Sequence, residues 1–233
     1  MISRCGLMQK KDGMGMEEFK DYWLNVHGPI ASTMANLRKY DQHVVVDSEH
    51  RHAIGRGSVV IDGYSELQFD SYGDMLEGVA SLHGEGVDDI PKFANPHCQI
   101  LVLAKREVIR IPEYLRGKKL IQRVSFLGRA EGVSSERFVK EWWNVHDRLV
   151  QTVPGCVGYS QNLVIDRIDG GVSVPYEELP VEGVVEMWFE TKEAFDEFYA
   201  SPEFARASVH GSEFVGTINT YLTETYPVAL PSA

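Results

Sequence analysis

Apolar and polar residues follow two different periods along this chain, and the periods change in the same order twice. Runs with partial two-residue alternation at 1–9 and 118–128 predict strands. At 16–27 and 135–146, apolar residues recur at i, i+4, i+7 and i+8, which is the spacing of one helix face. Later patterns predict strands at 40–47, 59–69 and 97–105 around a helix at 72–82, and strands at 159–166, 183–189 and 216–226 around a helix at 191–200. The predicted order is βαββαβ, twice.

The two copies align without a gap over their first helix and second strand. Residues 19–47 lie over 138–166, which pairs Phe19 with Phe138, Trp23 with Trp142, His27 with His146 and Tyr40 with Tyr159. A period of roughly 120 residues is far longer than the ~20–50 residues of solenoid units. It therefore indicates the duplication of a whole domain. The polar stretch 109–119 is the predicted junction, which divides the chain into domains 1–112 and 113–233.

This element order predicts an α+β fold of two tandem ferredoxin-like domains. In such a domain both helices cover one face of a four-stranded antiparallel sheet and leave the other face bare. Strand 65–69 places Leu67 and Phe69 on one face and Glu66 and Gln68 on the other. Because a half-apolar bare face requires a partner, we expect two sheets to enclose a barrel-like space with polar lining. The pattern leaves open whether the sheets pair within one chain or between two.

The composition narrows the class of partner. A formal net charge of -11 disfavours nucleic acid and anionic membrane surfaces, which would repel the protein. The chain has no apolar run near the roughly 20 residues needed to cross a bilayer, and its first residues lack a signal-peptide pattern. Its three cysteines are solitary, as in reduced proteins. We expect a soluble cytoplasmic protein with a small-molecule substrate, and the pattern also allows a homodimer.

The repeated segment resembles a known family. "FKDYWLNVHGP" in the first copy and "FVKEWWNVHDR" in the second, each followed by a short helix and a tyrosine that opens a strand, are similar to the EthD family of dimeric α/β-barrel proteins. The resemblance covers most of both halves and implies a tandem EthD-type protein, similar to methylmuconolactone methylisomerase and muconolactone isomerase-like proteins. Members of this kind act on small ring compounds of aromatic breakdown, or accompany degradative oxygenases without settled chemistry.

The resemblance also implies site residues inside the barrel pocket. A histidine after the first helix and a tyrosine opening the second strand fall on His27 and Tyr40, and again on His146 and Tyr159. At a helix C-terminal turn the dipole would raise the histidine pKa and suit proton transfer. The tyrosine would hydrogen-bond a developing oxyanion. In the alternative reading, each histidine only satisfies a backbone carbonyl beside a packed tyrosine.

Further residues are candidates for binding the substrate. Trp23 and Trp142 belong to the repeated motif. Glu66 and Glu186 interrupt apolar strands, and a carboxylate shielded inside a barrel would have a raised pKa. In the alternative interpretation they lie on an exposed sheet face or pair with an arginine such as Arg123 or Arg148. Arg148, which follows the second histidine, could hold a substrate carboxylate.

The sequence predicts no metal and no cofactor. His43, His50 and His52 lie close together, but they lack the spacing of a metal motif and are interpreted as surface residues. The predicted function is therefore a cofactor-independent acid/base enzyme, an isomerase or lyase acting on a small cyclic intermediate. The alternative is a non-catalytic EthD-type accessory or binding protein for a degradative oxygenase pathway.

Overall fold

A computed structural model of the protein describes residues 1–82, 88–96 and 98–231. The strands are β1 Ile2–Met8, β2 Lys39–Asp47, β3 Gly63–Phe69, β4 Gln99–Ile109, β5 Ile121–Arg129, β6 Cys156–Asp169, β7 Val172–Ser173, β8 Gly183–Phe189 and β9 Val215–Pro227. The α-helices are α1 Met16–Tyr22, α2 Gly28–Ala31, α3 Tyr72–Ser81, α4 Ile90–Phe93, α5 Ser135–Glu141, α6 Asp147–Val150, α7 Lys192–Ala200 and α8 Pro202–Gly211. Two π-helical turns, Trp23–His27 and Trp142–His146, join α1 to α2 and α5 to α6.

The strands close into one antiparallel barrel of two tandem ferredoxin-like repeats, which confirms the predicted fold. The first repeat has the order β4-β1-β3-β2 and the second the order β9-β5-β8-β6, with the short β7 beyond β6. Edge strand β2 pairs with β9, and β4 pairs with β6, so that the eight long strands have no free edge. The barrel closes within a single chain. A homodimer is therefore not needed to complete it and stays a prediction.

The two faces of the barrel wall bury different residues. The outer face packs against helices, as where Leu67, Phe69 and Met75 form a buried cluster. On the inner face, one end of the lumen is filled by side chains such as Leu101, Phe126 and Tyr221. The other end is polar and opens into a space of about 940 Å³. The barrel is thus a solid core at one end and a polar cup at the other.

The helix after the first strand of each repeat continues through its π turn. Gly28 has φ -54 and ψ -52, so Gly28–Pro29 does not end the helix and the backbone remains helical into α2. The Gly28 N–H bonds to the Trp23 carbonyl, which also accepts a 2.9 Å hydrogen bond from Gln42 Nε2. Gln161 donates to the Trp142 carbonyl in the same way. Each widened turn is therefore held by a glutamine on the second strand of its repeat.

The sequence patterns missed several smaller elements. Helices α4 and α8 and the 3-10 turn Glu113–Leu115 were not predicted, and β3 begins at Gly63 rather than at 59. Residue 97, at the start of a predicted strand, lies outside the described residues. The predicted junction after β4 does more than connect the repeats, because Ile111, Leu115 and Lys118 line the open end of the lumen. The boundary at 112 stays a prediction.

A glycine on the third strand of each repeat makes room for the motif tryptophan, which gives a stability test. A Cβ on Gly183 would lie 2.5 Å from Trp142 Cη2, whereas one on Gly73 in α3 would lie 3.7 Å from its nearest neighbour. We expect Gly183→Ala to lower the free energy of unfolding by about 1–3 kcal/mol through overpacking. The control Gly73→Ala should raise it by about 0.5–1 kcal/mol. Urea denaturation measures both, and equal midpoints for the two variants would contradict this packing.

Candidate active site

The residues predicted from the sequence lie in three separate places. Tyr40 and Tyr159 are buried between the sheet and the helices, with His27 and His146 at the ends of the π turns above them. The predicted position of these residues inside the barrel is wrong, because the neighbouring strand positions Asp41 and Ser160 are the ones that face the lumen. Glu66 and Glu186 do lie in the lumen, and Arg148 is exposed on α6.

Each site tyrosine is held by a glutamine two residues further along its strand. Gln161 Nε2 donates to Tyr159 Oη at 2.8 Å, and Gln42 Nε2 donates to Tyr40 Oη at 2.8 Å. Because the amide is the donor, each hydroxyl keeps its proton for another acceptor. Burial raises the pKa of Tyr40 to about 12 and raises that of Tyr159 further still. Both tyrosines are therefore hydrogen-bond donors, not bases, at neutral pH.

In the second repeat an arginine from the first repeat completes this arrangement. Arg106 on β4 donates to Gln161 Oε1 and, at 2.7 Å, to Asp147 Oδ2. Asp147 stands where the first repeat has Gly28, so the departure from His-Gly-Pro creates a buried partner for Arg106. The ion pair fixes the acceptor side of Gln161 and thereby orients the amide towards Tyr159.

A cavity of about 70 Å³ lies between the sheet and helices of the second repeat. His146, Tyr159 and Trp142 all line it, so three of the predicted site residues meet there. The remaining lining residues lie on β5, β8 and β9, on helices α6, α7 and α8, and in loops; they include Arg123, Ser125 and Leu127 of β5, the loop residues His52, Ile54 and Phe214, and half-buried Phe204 of α8. The cavity is mostly apolar, with a few convergent polar groups, as in ligand sites.

Arg123 is a buried cation in this cavity. It is 3% exposed, its Nη2 donates to His52 Nε2 at 2.8 Å, and its Nη1 lies 3.1 Å from Met187 Sδ. Its Nε has no hydrogen-bond partner, and the guanidinium lies 5.5 Å from the centre of the Tyr199 ring rather than against a carboxylate of the described chain. Because a buried cation without a carboxylate partner is costly, the site is suited to an anion that enters the cavity.

His146 is an uncharged base at the edge of this cavity. Its Nδ1 lies 3.4 Å from His210 Nδ1, and His210 Nε2 lies 3.5 Å from Glu141 Oε2. Burial, followed by the charges of His210 and Arg123, lowers the pKa of His146 to about 4. The expected rise from a helix C-terminus is wrong, because the helix continues into α6. The result is a neutral imidazole at pH 7.

The first repeat uses the same motif differently. His27 Nδ1 lies 3.1 Å from Asp89 Oδ2, and Tyr22 donates to Asp89 Oδ1 at 2.8 Å. Burial lowers the pKa of His27 despite the opposing hydrogen bond and charge of Asp89. Phe93 packs against the His27 ring at 5.0 Å and closes this corner. The two histidines therefore have different partners, a carboxylate in one repeat and an imidazole in the other.

The two glutamates meet inside the barrel and pair with a lysine. Lys105 Nζ bonds to Glu66 Oε1 and lies 3.2 Å from Glu186 Oε2. Burial would raise the pKa of Glu66, but the charge of Lys105 and its hydrogen bond to Glu66 outweigh burial and lower that pKa well below its usual range. The predicted raised pKa and arginine partner of Glu66 are thus wrong. His43, interpreted as a surface residue, is also buried here.

The remaining predicted residues differ in their relation to the site. Trp142 lines the cavity, while Trp23 is fully buried in the core of the first repeat. Arg148 is exposed and away from the cavity lining, so the arginine available to an anion is Arg123. Arg123 was missed as a site residue, although its position repeats that of Arg4 in the first copy. The Tyr-x-Gln sequence, which occurs in both copies at 40–42 and 159–161, was a second signal of the site.

The fold and site together define a single-chain α/β barrel of two repeated plaits with a helix–sheet cavity. The EthD domain matches residues 11–97 and 130–217, which confirms both repeats. The chain belongs to the EthD family. No curated protein sequence matches it.

Solved structures share the fold at low identity. An anthrone oxidase-like protein has a TM-score of 0.65 and 11% identity, with 98% of this chain and 93% of that chain covered. A candidate monooxygenase from Fusobacterium nucleatum has a TM-score of 0.61 and 6% identity, with 100% and 95% covered. A candidate chlorite dismutase has a TM-score of 0.55 and 10% identity, with 97% and 94% covered. Within the described residues, no helix has the length and apolar character that crossing a bilayer requires.

The depressed pKa of His146 makes stability depend on pH in a defined direction. Between its folded value of about 4 and an unfolded value of about 6.5, the unfolded chain binds more protons. Stability is therefore complete above the unfolded value and declines as the pH falls towards the folded one. We expect His146→Gln to flatten this decline by up to about 1.4 kcal/mol per pH unit. Urea unfolding from pH 7 to 4 measures it, and parallel curves for wild type and variant would contradict the assignment.

Proposed function

We propose that the second repeat is a cofactor-independent acid/base site for a small ring compound with an anionic group. The observation that carries this proposal is Arg123, a buried cation without a carboxylate partner among the described residues, in a cavity that also contains His146 and Tyr159. The anionic group of the substrate would pair with Arg123. The apolar lining would hold the ring.

The chemistry begins with removal of a proton from a carbon next to a carbonyl group. Neutral His146 is the base, and its contact with His210, which in turn lies against Glu141, provides a route by which the charge formed on the imidazole is relayed outwards. Tyr159 donates its proton in a hydrogen bond to the oxygen that gains charge in the enolate. Return of the proton to another carbon gives isomerisation, and expulsion of a leaving group gives a lyase reaction.

The size of the cavity restricts how a ring can enter. A space of about 70 Å³ is smaller than the roughly 150 Å³ that holds benzene in an engineered protein cavity. Ring binding therefore requires lining side chains to move. His52 and Phe204 are suited to this because both are only half-buried. The likeness to an anthrone oxidase-like protein agrees with an enolisable ring as the substrate class.

The buried cation also supports a second candidate, non-catalytic binding. In this case the protein would hold a reactive intermediate for a partner enzyme, and Arg123 would still be the anchor. The two candidates differ in what His146 does, because a binding protein needs no base.

Paired substitutions in the two repeats test catalysis. Phenylpyruvate and muconolactone both carry a carboxylate and an exchangeable C–H, and exchange in D2O can be followed by NMR. We expect His146→Gln to slow enzyme-dependent exchange by roughly 10²–10⁴-fold and Tyr159→Phe by roughly 10²-fold. His27→Gln and Tyr40→Phe are matched controls and should retain the wild-type rate. Full exchange in His146→Gln would contradict the enzyme, and binding without exchange in the wild type would favour the accessory protein.

Replacement of the buried cation separates ligand binding from stability. Arg123→Met keeps most of the volume and removes a buried charge that has no carboxylate partner, so we expect the free energy of unfolding to rise by about 1 kcal/mol or more. The same change should weaken binding of phenylpyruvate at least tenfold, measured by calorimetry. An unchanged affinity would remove Arg123 from the anion site. Loss of stability would show that the guanidinium is already compensated.

A further inference from the structure

Three side chains with metal-ligating atoms meet at the polar end of the barrel lumen. Asp41, His43 and Glu66 each offer one ligand atom, and these atoms lie within 4.8 Å of one another. The three residues are only 4%, 2% and 5% exposed. Asp41 and Glu66 are direct cross-strand partners on β2 and β3, where like charges destabilise a sheet. This arrangement favours a cation between the two carboxylates.

Two atoms of this group are buried without a hydrogen-bond partner in the described chain. They are Asp41 Oδ1 and His43 Nε2. The nearest approach of His43 Nε2 to Glu66 Oε2 is 3.7 Å, which is too long for a hydrogen bond. Both atoms are therefore available as ligands.

The orientation of His43 selects the tautomer that a metal requires. Its ring stacks on Tyr64 at 4.1 Å, and its Nδ1 lies 2.9 Å from Gln122 Oε1. Gln122 uses its amide nitrogen to donate to Tyr64 Oη, so its Oε1 is an acceptor and His43 Nδ1 is the donor. This leaves Nε2 with a free lone pair. A histidine that binds a metal through one ring nitrogen usually donates the N–H of its other ring nitrogen to an acceptor, as His43 Nδ1 does to Gln122.

The lysines near the group occupy the other oxygens. Lys105 bonds to Glu66 Oε1, and Lys39 bonds to Asp41 Oδ2. Glu66 Oε2 and Asp41 Oδ1 therefore remain for a further cation. The Lys39 side chain is 55% exposed and can leave for solvent, whereas Lys105 is held between Glu66 and Glu186.

The second repeat shows what these positions need for folding alone. Ser160 and Asn162 stand in the register of Asp41 and His43, and Glu186 stands in that of Glu66. Ser160 Oγ and Asn162 Nδ2 donate to Glu186 Oε2 at 2.9 and 3.0 Å. Two neutral side chains thus bind the Glu186 oxygen that also lies 3.2 Å from Lys105. The acid and the imidazole of the first repeat are not required by the barrel.

We infer that Asp41, His43 and Glu66 form a binding site for a first-row divalent cation such as Zn²⁺ or Mn²⁺. One imidazole and two carboxylates are donors that these ions accept. Three protein ligands leave a coordination position that faces the space of about 940 Å³ at the barrel mouth. This site departs from the sequence-based expectation of no metal and does not depend on the proposed function of the second repeat.

The test converts the first repeat into the second at two positions. EDTA-treated protein is titrated with Zn²⁺ by calorimetry, and Co²⁺ is added separately to record its visible absorption. We expect one Zn²⁺ per chain, and a loss of affinity of roughly 100-fold or more in Asp41→Ser/His43→Asn. The matched controls Ser160→Ala in the second repeat and His50→Ala outside the lumen should bind as the wild type does.

Either of two results would overturn the site. The first is a wild-type protein that binds no stoichiometric Zn²⁺ or Mn²⁺. The second is a folded double variant with unchanged affinity, which would assign the binding to other histidines or cysteines. If circular dichroism shows that the double variant is unfolded, the isosteric Asp41→Asn takes its place. It should weaken Zn²⁺ binding at least tenfold, and an unchanged affinity would count equally against the site.

Discussion

Pairing of the edge strands between the two repeats is the constraint on which the rest of the molecule depends. Strand β2 lies against β9 and β4 against β6, so each plait supplies the edge that the other lacks. The pairing forces the bare face of each sheet inwards, where one end becomes an apolar core and the other a polar cup. It also places the repeated tyrosines between the sheet and the helices and the repeated histidines on the π turns above them, all outside the lumen. Two chemically different environments therefore result from one closure.

Duplication within one chain has let the two copies diverge while their shared geometry remained. Both retain the tryptophan of the π turn and the tyrosine–glutamine pair beneath it. The histidine meets Asp89 in one repeat and His210 in the other. The two repeats also differ inside the lumen. The first repeat has Asp41 and His43 where the second has the neutral residues Ser160 and Asn162. Each repeat therefore shows which other side chains the shared fold accepts at the equivalent positions of the second copy.

The fold could be predicted well from the sequence because each element occurs twice. The hydrophobic pattern of an element in one copy could therefore be compared with the pattern in the other. The strand alternation around Leu67 and the helical spacing around Trp23 were confirmed in both copies. The candidate site was predicted only in part. Arg123 and His52 approach each other through tertiary packing of β5 and a long loop, which local spacing does not report. The low pKa values of His146 and Glu66 also depend on burial and on partners far away in the chain, His210 and Lys105.

Methyl-labelled NMR locates the ligand site without assuming any reaction. A titration with phenylpyruvate should shift the methyl signals that line the second-repeat cavity, those of Val150, Val185, Met187, Ala207 and Ile218. The lumen methyls of Leu101 and Leu103 and the first-repeat methyls of Met8 and Val44 should stay unchanged. Shifts confined to the lumen or to the first repeat would contradict the placement of the active cavity between sheet and helices of the second repeat.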